Sequence, residues 1–506
     1  MIALIDRLLN KITMYRLLLY ILEAYVVIAA ILGALGILPY SPVAILFTAF
    51  FLLGSCWIIN IIFAKVWGAQ PSVESAYLTG LILALIITPG TWALQNIELL
   101  LAAALIAMAS KYIIAIGKKH VFNPAALAVV ITGFALNQYA SWWVGGNLPM
   151  MAFVIVGGLL IVRKLQRFDL FLSFFAAAIV SCIALAPIFD PWGTIQRIVL
   201  HTPIFFFGTI MLTEPLTTPP TRTLRVIYGV IVGLLYSPYV HVGAVYSIPE
   251  LALVTGNVFS YVVSPKRKFM LTMKGKHEVG KDMDDFQFAP DAKINHRPGQ
   301  YLEWTLAHQK ADTRGNRRYF TIASSPTEPE VHLGVKFYEN SSTFKFALMN
   351  LKPGETIVAG QLAGDFTLPN DPKKKLIFIA GGIGITPFRS MAKYISDMNE
   401  RRDAILFYSN RNENEIAYRD IFDEAEKKWG LRTVYAITDP AAKAPSHNGR
   451  IGRIDMKLIE SVAPDFRERT FYISGTHGMV SEFKKTLAEL GVPRTQIKTD
   501  FFPGFA

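Results

Sequence analysis

The segment LIFIAGGIGITPF at residues 376–388 decides the fold of the carboxyl-terminal half of this 506-residue chain. Its apolar start predicts a buried strand, and its glycines predict a tight turn that leads into a helix. The glycines are Gly381, Gly382 and Gly384. Because glycine has no side chain, the turn can approach a diphosphate, to which Thr386 can also hydrogen-bond, while Pro387 suits the first turn of a helix. A glycine turn by itself is equally typical of an ordinary structural turn.

Strand-like and helix-like patterns alternate through residues 372–506, for example in AILFYSN, AYRDIFDEAEKKW, RTVYAIT and RTFYISG. This alternation predicts a parallel sheet covered by helices. Residues 265–371 instead contain short strand patterns bounded by proline or glycine, such as RPGQYLEW and VHLGVKFYE. We therefore expect a β-rich domain at 265–371, followed by an α/β domain at 372–506.

Residues 1–264 are mostly apolar and predict a polytopic α-helical membrane domain. Short spans are accepted in the count, because broken helices can serve in a membrane where protein buries them. The ten predicted spans are roughly 15–38, 42–64, 74–89, 97–117, 122–137, 148–162, 168–190, 201–214, 222–237 and 240–263. The amino terminus lacks the small-residue cleavage site of a signal peptide, so we expect it to be retained.

The basic residues of this apolar half favour the ten-span count. With a cytoplasmic amino terminus, nearly all of them fall on the cytoplasmic side, as the positive-inside rule requires. They are Arg7, Lys11, Arg16, Lys65, Lys118, Lys119, Arg163, Lys164, Arg167, Arg222, Arg225, Lys266, Arg267 and Lys268, and the exception is Arg197. The expected location is therefore the inner cell membrane, in contact with lipid, with both termini and residues 265–506 in the cytoplasm.

Composition argues against several classes of partner and cofactor. The net charge of +12 is explained by the basic loops and a solvated basic surface, so nucleic acid is not an expected partner. Two cysteines, Cys56 and Cys182, are too few for an iron–sulfur cluster. The apolar half contains only isolated histidines, at 120, 201 and 241, so we expect no haem. No metal site is expected.

Two short segments of the apolar half, at 78–90 and 202–215, each end at a Thr/Pro break and each is third in its set of five spans. Paired broken segments indicate an inverted repeat with a binding site between the halves, although chance pairing is the alternative. Polar residues predict that site, with ordinary helix capping as the alternative: His120, Asn123, Thr213, Glu214, Thr217 and Thr218. Acidic residues also lie in or near apolar spans, where such residues are usually functional or paired: Glu23, Glu98 and Glu250.

The ten spans, with FNPAALA at 122–128 and TEPLTTPPT at 213–221, resemble the flavin-carrying membrane subunits of Rnf-type complexes and sodium-pumping NADH:quinone reductases. The resemblance covers roughly residues 40–263. The family's Ser-Gly-Ala-Thr stretch, whose threonine holds FMN covalently, does not occur in this chain. The resemblance therefore implies a second, non-covalent flavin, FMN or riboflavin, in the membrane domain, with a quinone or a partner across the membrane as the acceptor.

Residues 266–506 resemble the ferredoxin–NADP reductase family, because five motifs occur in that family's order. The resemblance implies a β-barrel FAD domain and an NAD(P) domain. RRYFTIAS at 317–324 matches the flavin strand, on which Arg318 and Phe320 share one face. Arg318 is expected to bind the FAD pyrophosphate, and Phe320 to pack on the isoalloxazine ring. Thr321 is expected at the flavin N5 edge, and Tyr319 and Ser324 also line the cofactor.

Two further motifs extend this resemblance. NSSTFKFAL at 340–348 begins a helix whose first amides suit a diphosphate. The residues concerned are Ser341, Ser342 and Thr343. YISGTHGM at 472–479 lies where the family has Cys-Gly near the nicotinamide, and Ser474 replaces that cysteine. Gly475 and Thr476 complete this predicted nicotinamide site.

The chain's last aromatic residues and one arginine leave alternatives open. Phe501 and Phe502 are expected to shield the flavin, unless the tail is a hydrophobic segment docked on the core. Arg411, which follows the strand AILFYSN, can bind a 2′-phosphate or lie on the surface. NADH and NADPH therefore both stay open as the donor.

These observations predict a membrane flavoprotein oxidoreductase in which Thr321 and Ser474 are catalytic residues. Electrons are expected to pass from NADH or NADPH through FAD to the second flavin, and then to a quinone or an acceptor across the membrane. Two alternatives stay open: a redox-driven transporter of an ion or small molecule, and a soluble-type reductase that is merely anchored. The oligomeric state also stays open.

Overall fold

The structure is a computed structural model that describes residues 2–9, 12–68, 73–117, 119–265, 267–308, 312, 315–339, 341–442 and 448–500. The chain divides into two compact units. The amino-terminal unit runs to Lys268, and the carboxyl-terminal unit begins at Phe269.

The amino-terminal unit is helical. Its helices are α1 (Ile2–Leu9), α2 (Met14–Ala34), α3 (Pro42–Val66), α4 (Val73–Ile86), α5 (Leu94–Ile113), α6 (Pro124–Leu136), α7 (Leu148–Leu165), α8 (Phe168–Leu185), α9 (Pro191–His201), α10 (Ile204–Phe206), α11 (Arg222–Leu235) and α12 (Pro249–Val263). Two small hairpins, β1 (Ala115–Ile116) with β2 (Lys119–His120) and β3 (His241–Val242) with β4 (Val245–Tyr246), connect some of them. Among the described residues, five helices are long and apolar enough to cross a membrane, namely α2, α3, α5, α7 and α8.

Every predicted span contains a helix, but the count of ten spans stays a prediction, because the other helices are shorter than a bilayer requires. The start of the last span was wrong. The segment predicted to be helical from residue 240 begins with the β3–β4 hairpin, in which Gly243 has a φ of 61°. The helix begins only at Pro249, because proline favours the first turn and the hairpin residues 241–246 are exposed.

The two short segments predicted to be broken are deeply buried. All residues from Leu78 to Ile86 in α4 are buried, and α10 continues into a buried π-helical turn at Phe207–Met211. Helices α8 and α11 pack closely at Gly233, which has no side chain. A Cβ added there would lie 2.5 Å from the carbonyl oxygen of Phe174. Small residues at such contacts are typical of membrane helix packing.

The carboxyl-terminal unit begins with a six-stranded antiparallel sheet that forms a half-barrel, where a barrel was expected. Its strands are β5 (Phe269–Gly280), β6 (Met283–Pro290), β7 (Tyr301–Thr305), β8 (Arg317–Thr321), β9 (Val331–Lys336) and β10 (Thr356–Ala363), in the order β8-β7-β10-β5-β6-β9. A short helix, α13 (Thr343–Met349), packs against the apolar side of this sheet through Phe344 and Leu348.

The second sheet is parallel throughout, as the alternating pattern predicts. Its strands are β11 (Leu376–Gly381), β12 (Ala404–Asn410), β13 (Arg432–Ile437), β14 (Gly449–Ile451), β15 (Thr470–Ser474) and β16 (Ile497–Thr499), in the order β14-β13-β12-β11-β15-β16. Its helices are α14 (Thr386–Asp397), α15 (Arg419–Trp429), α16 (Met456–Val462) and α17 (His477–Glu489). Alternate residues of each strand face opposite helical layers, so Phe378 packs with α14 and Ile377 with α16 and α17.

Candidate functional site

The glycine turn lies at the switch point of the parallel sheet. From β11 the chain adds β12, β13 and β14 on one side, and then returns to add β15 and β16 on the other. A crevice forms outside the carboxyl ends of the strands where the order reverses, which here is between β11 and β15. The turn Gly382–Ile385 follows β11 at that point, and Gly475 follows β15.

The backbones of these two strand ends approach so closely at Gly384 that only glycine fits there. A Cβ added to Gly384 would lie 2.6 Å from the carbonyl oxygen of Ser474, and one on Gly381 would lie 2.5 Å from the sulfur of Met479. Gly382 has a φ of 54°, which favours glycine. The Thr386 hydroxyl donates to the carbonyl of Ile383 at 3.3 Å and can still accept a hydrogen bond. The turn therefore presents backbone rather than side chains.

Pro387, in the first turn of α14, and Thr476 begin the two helices that leave this crevice. Pro387 is buried in the first turn of α14, where its missing amide hydrogen costs nothing. The Thr476 hydroxyl accepts from the amide of Met479 at 3.4 Å and caps α17. Because α14 and α17 follow the carboxyl ends of β11 and β15, both helices direct their amino-terminal ends toward the crevice. This arrangement suits an anionic ligand.

An acidic residue that the sequence did not single out connects the predicted flavin strand to the predicted nicotinamide strand. The Asp500 carboxylate accepts from the Ser474 hydroxyl at 3.2 Å and lies 3.5 Å from the hydroxyl oxygen of Thr321. The amide of Asp500 donates to the carbonyl of Ile473 at 3.0 Å, which fixes its position beside β15. The sequence signal that could have identified Asp500 is its place between the last strand and the aromatic tail. Phe501 and Phe502 lie outside the described residues.

Alternate side chains of β8, the predicted flavin strand, lie on opposite sides of the sheet. Arg318 and Phe320 share one face, because the Arg318 guanidinium lies 5.2 Å from the Phe344 ring centre and the Phe320 ring lies 6.1 Å from it. Tyr319 points to the other face, where its hydroxyl donates to the Glu303 carboxylate at 2.7 Å. The Phe320 ring is half-buried, so part of its face is available for packing.

Arg318 is almost fully buried and is turned onto its own chain. Its Nη1 donates to the carbonyls of Gly315 at 3.2 Å and Arg317 at 2.6 Å, and its Nη2 lies 3.8 Å from an Asp312 carboxylate oxygen. A fork onto a diphosphate would require this guanidinium to change partners. The diphosphate role of Arg318 stays a prediction.

The start of α13 already holds an acidic group. The Thr343 amide donates to the Asp312 carboxylate at 3.2 Å, and the Thr343 hydroxyl accepts from the Asp312 amide at 3.0 Å. Ser342 caps the helix by accepting from the Lys345 amide, and the Ser341 hydroxyl donates to the carbonyl of Tyr338. A carboxylate therefore occupies the position expected for a diphosphate, in a helix of only seven residues.

Ser324 is buried and bonds to β9 and α14 rather than facing an open groove. Its hydroxyl accepts from the His332 amide at 3.1 Å, and its carbonyl accepts from the Ser390 hydroxyl at 2.6 Å. Next to it, Arg389 of α14 donates to the carbonyl of Ala323 at 3.1 Å and pairs with Glu328. These contacts hold the end of the flavin strand against the helix that follows the glycine turn.

A second buried contact joins β6 of the half-barrel to the start of α15. The Tyr418 hydroxyl donates to Asp285 at 2.8 Å, and a ring nitrogen of His332 lies 2.6 Å from the other oxygen of that carboxylate. Burial, together with the adjacent Asp285 carboxylate, raises the pKa of Tyr418 well above its usual value. Arg411 is exposed at the end of β12, whereas Arg419 pairs with Glu413. Of these residues, only Arg411 has an exposed side chain.

In the amino-terminal unit, the predicted polar residues gather around Glu214. Its carboxylate accepts from Asn123 and Thr217, both at 3.0 Å, and lies 3.5 Å from a ring nitrogen of His120. Asn123 also caps α6 through the amide of Ala126. The hydroxyls of Thr213 and Thr218 donate to backbone carbonyls. Much of this chemistry is thus internal capping, the alternative considered above.

The residues at the crevice fit FAD and a nicotinamide nucleotide. The fit rests on the glycine cradle that a Cβ would fill and on the hydroxyls of Thr321 and Ser474 beside one carboxylate. The half-buried ring of Phe320 next to Thr321 supplies an apolar wall. Among the described residues, no group of three or more His, Cys, Asp or Glu side chains is placed to hold a metal ion.

The half-barrel, the parallel sheet and the cradle at its switch point define a ferredoxin reductase-like module that binds FAD and a nicotinamide nucleotide. Residues 378–485 match the oxidoreductase NAD-binding domain family. The module is that of an NAD(P)H-dependent oxidoreductase, as the sequence predicts.

Similar proteins are reductases and flavohemoproteins. The chain is 26% identical over 224 residues to the glycine betaine monooxygenase reductase subunit of Pseudomonas aeruginosa, a match that covers 44% of this chain and 60% of that protein. It is 28% identical over 240 residues to a flavohemoprotein of Pseudomonas putida, covering 47% and 59% of the two chains. The Amycolatopsis cytochrome P450 reductase structure matches with a TM-score of 0.42 and 21% identity, over 47% of this chain and 70% of that one. The chain thus spans about three-fifths of these two curated relatives.

These relatives correct the expected cofactor set. FAD and NAD(P)H are supported, but the expected cofactor set without haem was wrong, because flavohemoproteins are among the similar proteins. The second flavin of the membrane domain, which the resemblance implied, is not supported by these relatives. The carriers beyond FAD are therefore not assigned by composition.

Proposed function

We propose that the protein oxidises NADH or NADPH at the crevice of the parallel sheet and passes the electrons, through FAD, to an acceptor in or at the membrane. A quinone is the acceptor that we favour. Bound FAD supplies the chemistry of accepting a hydride and releasing electrons singly. The residues of the chain bind the two nucleotides, orient them and exclude water.

The observation that carries this proposal is the contact of Thr321 and Ser474 with one carboxylate, Asp500. Thr321 ends the strand that the FAD resemblance assigns to the flavin, and Ser474 ends the strand beside the glycine cradle. Their convergence supports a site in which the flavin N5 edge and the nicotinamide lie next to each other. Orientation of this kind contributes a large share of the rate in transfer reactions.

Each residue has a separate part in that arrangement. The glycine turn admits the nucleotide diphosphate, because its backbone amides can reach an anion without steric hindrance from side chains. Phe320 packs on the flavin ring, and Asp500 holds the Thr321 and Ser474 hydroxyls in fixed directions. The contacts of Arg389 and Tyr418 hold the half-barrel against the α/β domain, so the two proposed nucleotide sites stay together.

The apolar helices support a membrane acceptor. Helices α2, α3, α5, α7 and α8 are long and apolar enough to span a bilayer. The basic loops favour an inner-membrane location in contact with lipid, with both termini cytoplasmic, where reduced nicotinamide nucleotides occur. Protease added to sealed right-side-out cells is expected to leave the carboxyl-terminal unit intact, and its release would contradict this orientation.

Steady-state turnover of the purified full-length protein tests the electron acceptor. With NADH or NADPH as donor, ferricyanide reports the nucleotide and FAD steps alone, whereas a soluble quinone analogue reports the proposed path. We expect turnover with both acceptors in lipid nanodiscs. Turnover with ferricyanide but none with quinones would contradict a quinone acceptor, and no turnover with either would contradict the reductase itself.

A comparison with the separate carboxyl-terminal unit distinguishes electron transfer within the membrane unit from simple anchoring. If residues 265–506 alone reduce the quinone analogue as fast as the full chain, the apolar helices serve only as an anchor. We expect instead that only the full chain reduces it efficiently, and that the two proteins reduce ferricyanide at similar rates.

A further inference from the structure

A cavity of about 340 Å³ lies in the amino-terminal unit, and the proposed function does not use it. Thr194 and Ile198 of α9 line one side of it, and Cys182 lines it near the end of α8. Residues from the connection between α11 and α12, within 236–249, supply much of the remaining wall. Small-molecule sites in proteins commonly have volumes of roughly 300–1,000 Å³, so the cavity has the size of a ligand site.

The interior of the cavity offers few hydrogen-bond donors to a ligand. The Tyr236 hydroxyl donates to the Thr202 hydroxyl at 3.2 Å, and the Thr202 hydroxyl donates to the carbonyl of Ile198 at 2.6 Å. The Ser247 hydroxyl donates to the carbonyl of Leu235. Since each of these hydroxyl hydrogens is already bonded within the protein, the interior suits an apolar group.

Two basic side chains line the same cavity and reach its exposed rim. Arg197 and His201 lie four residues apart in α9, so they share one face of the helix, and both are exposed. Arg197 donates to the Thr194 hydroxyl at 3.0 Å, which occupies only one of its five N–H groups. Within the residues that the structure describes, neither basic side chain forms an ion pair. Donors for an anion therefore remain at the rim.

The acidic groups that flank this wall along the chain are committed elsewhere. Asp190 caps α9 by accepting from the Gly193 amide at 3.0 Å, and it precedes Arg197 by two helical turns, or roughly 10 Å along the axis. The Glu250 carboxyl group accepts from the indole N–H of Trp142 at 2.9 Å, and Glu250 does not line the cavity. Neither group balances the charge of Arg197.

Arginines at the opposite end of the helix bundle have carboxylate partners. Arg163 pairs with Asp6 at 2.8 Å, and Arg225 pairs with Asp169 at 3.0 Å. These residues belong to the basic loops at which α8 and α11 begin, whereas the cavity is lined by residues near the other ends of these two helices. Arg197 thus lies without a carboxylate at the end where basic residues are scarce, which indicates a ligand that supplies the anion.

The segment that leads into α9 indicates from where such a ligand comes. Ile188, Phe189 and Trp192 are each more than two-thirds exposed. Large apolar and aromatic side chains at the end of a membrane helix bundle are typical of the boundary between lipid and water. A ligand that is partly dissolved in the bilayer would meet the cavity at this boundary.

We propose that this cavity binds an amphipathic anion, whose carboxylate or phosphate lies at Arg197 and His201 and whose apolar part fills the interior. A guanidinium matches the oxygens of either head group with paired hydrogen bonds. The inference goes beyond the reductase activity and rests on the membrane location proposed above. Two sources present this chemistry, an anionic phospholipid of the bilayer and a free amphipathic acid.

Native mass spectrometry of the full-length protein in a neutral detergent tests the proposal. Phosphatidylglycerol and dodecanoate are the probes for the two sources, and dodecanol is the neutral control. We expect an anionic probe to bind about tenfold more tightly than dodecanol, or by roughly 1.4 kcal/mol. The probe that binds more tightly identifies the source. Binding of neither anion, or equally tight binding of dodecanol, would overturn the proposal.

Three variants locate the bound probe. Arg197→Gln removes the charge but keeps a polar side chain, and we expect it to weaken binding of the anion about tenfold. Arg222→Gln is the matched control, because it removes an exposed arginine from the start of α11, at the opposite end of the bundle. Cys182→Phe fills the interior without changing the charge, and we expect it to abolish binding.

The variants also give the results that would contradict the site. Equal binding by Arg197→Gln and Arg222→Gln would exclude the head-group position, and unchanged binding by Cys182→Phe would exclude the interior. Each variant is compared with the wild type after both elute alike in size-exclusion chromatography. Since no readout involves turnover, failure here leaves the proposed reductase function standing.

Discussion

The two edges of the parallel sheet differ in how their polar groups are satisfied. At the amino-terminal edge, Arg469 bonds to Asp465 and Asp403 at 2.7 Å each, and Lys375 pairs with Asp465 at 2.8 Å. At the carboxyl-terminal edge, glycines and hydroxyls leave backbone and small polar groups facing a crevice. One edge therefore satisfies its charges internally, whereas the other keeps its donors for ligands.

The difference teaches where stability and function are located in this module. The ion pairs join residues that precede β11, β12 and β15, so they hold the strands at one end. The close approach of Gly384 to Ser474 holds the other end without any charge. Variants at the first edge should change stability and spare activity, and variants at the second edge should do the reverse.

The largest effect is expected from Gly384→Ala. The added methyl group would lie 2.6 Å from the Ser474 carbonyl oxygen, so the two strand ends must move apart. We expect kcat/KM for NADH or NADPH, measured with ferricyanide, to fall on the order of 100-fold, because small displacements of reacting groups have effects of that size. Gly478→Ala is the control, since its Cβ would meet nothing within 4 Å. Equal activity of the two variants would contradict the cradle.

Arg469→Ala should act on stability instead. The arginine side chain is 4% exposed, whereas the side chains of Asp403 and Asp465 are 48% and 27% exposed, so solvent offsets part of the loss. We expect the free energy of unfolding of the module to fall by about 1.5–3 kcal/mol, the range for hydrogen bonds to charged groups. Denaturant unfolding measures it, with Arg467→Ala as the control from the same segment. A large loss of turnover in a folded variant would remove the distinction between the edges.

Asp500→Asn tests the contact between the two cofactor strands. The amide keeps the size of the side chain and an oxygen that can accept, but it removes the negative charge, so the hydrogen bonds from the two hydroxyls weaken. We expect the rate of flavin reduction, measured by stopped-flow absorbance, to fall about tenfold, or roughly 1.4 kcal/mol. Unfolding should be unaffected. Glu482→Gln, an exposed acid of α17, is the control, and identical rates in both variants would exclude Asp500 from the site.

The smallest effect is expected on the stability of the fold at low pH, through Asp465. Hydrogen bonding to Arg469 lowers the pKa of Asp465 below its ordinary value of 3.8. The pair therefore stabilises the fold above about pH 4, and that contribution is lost as the pH falls toward the lowered pKa. The difference in melting temperature between the wild type and Asp465→Asn should shrink below pH 4. A difference that is constant with pH would mean that the ion pair contributes little.

The sequence by itself determined the local elements of this protein. The apolar run at 376–381 forms β11, and the glycines after it form the turn, because these residue types leave few backbone alternatives. The alternation of β8 placed Arg318 and Phe320 on one face, since side chains on a strand point alternately to its two sides. The apolar helices followed from hydropathy in the same way.

Only the tertiary structure decided which distant groups meet. Asp500 reaches Ser474 and Thr321 because β16 joins the sheet beside β15, and no local pattern encodes that neighbour. Arg318 turns inward because Asp312 and two carbonyls surround it, although its place on the strand suited an anion equally well. Glu250 acquires its indole partner from a loop more than a hundred residues away. Local preference depends on neighbours along the chain, whereas a polar group's final partner depends on burial, which only packing creates.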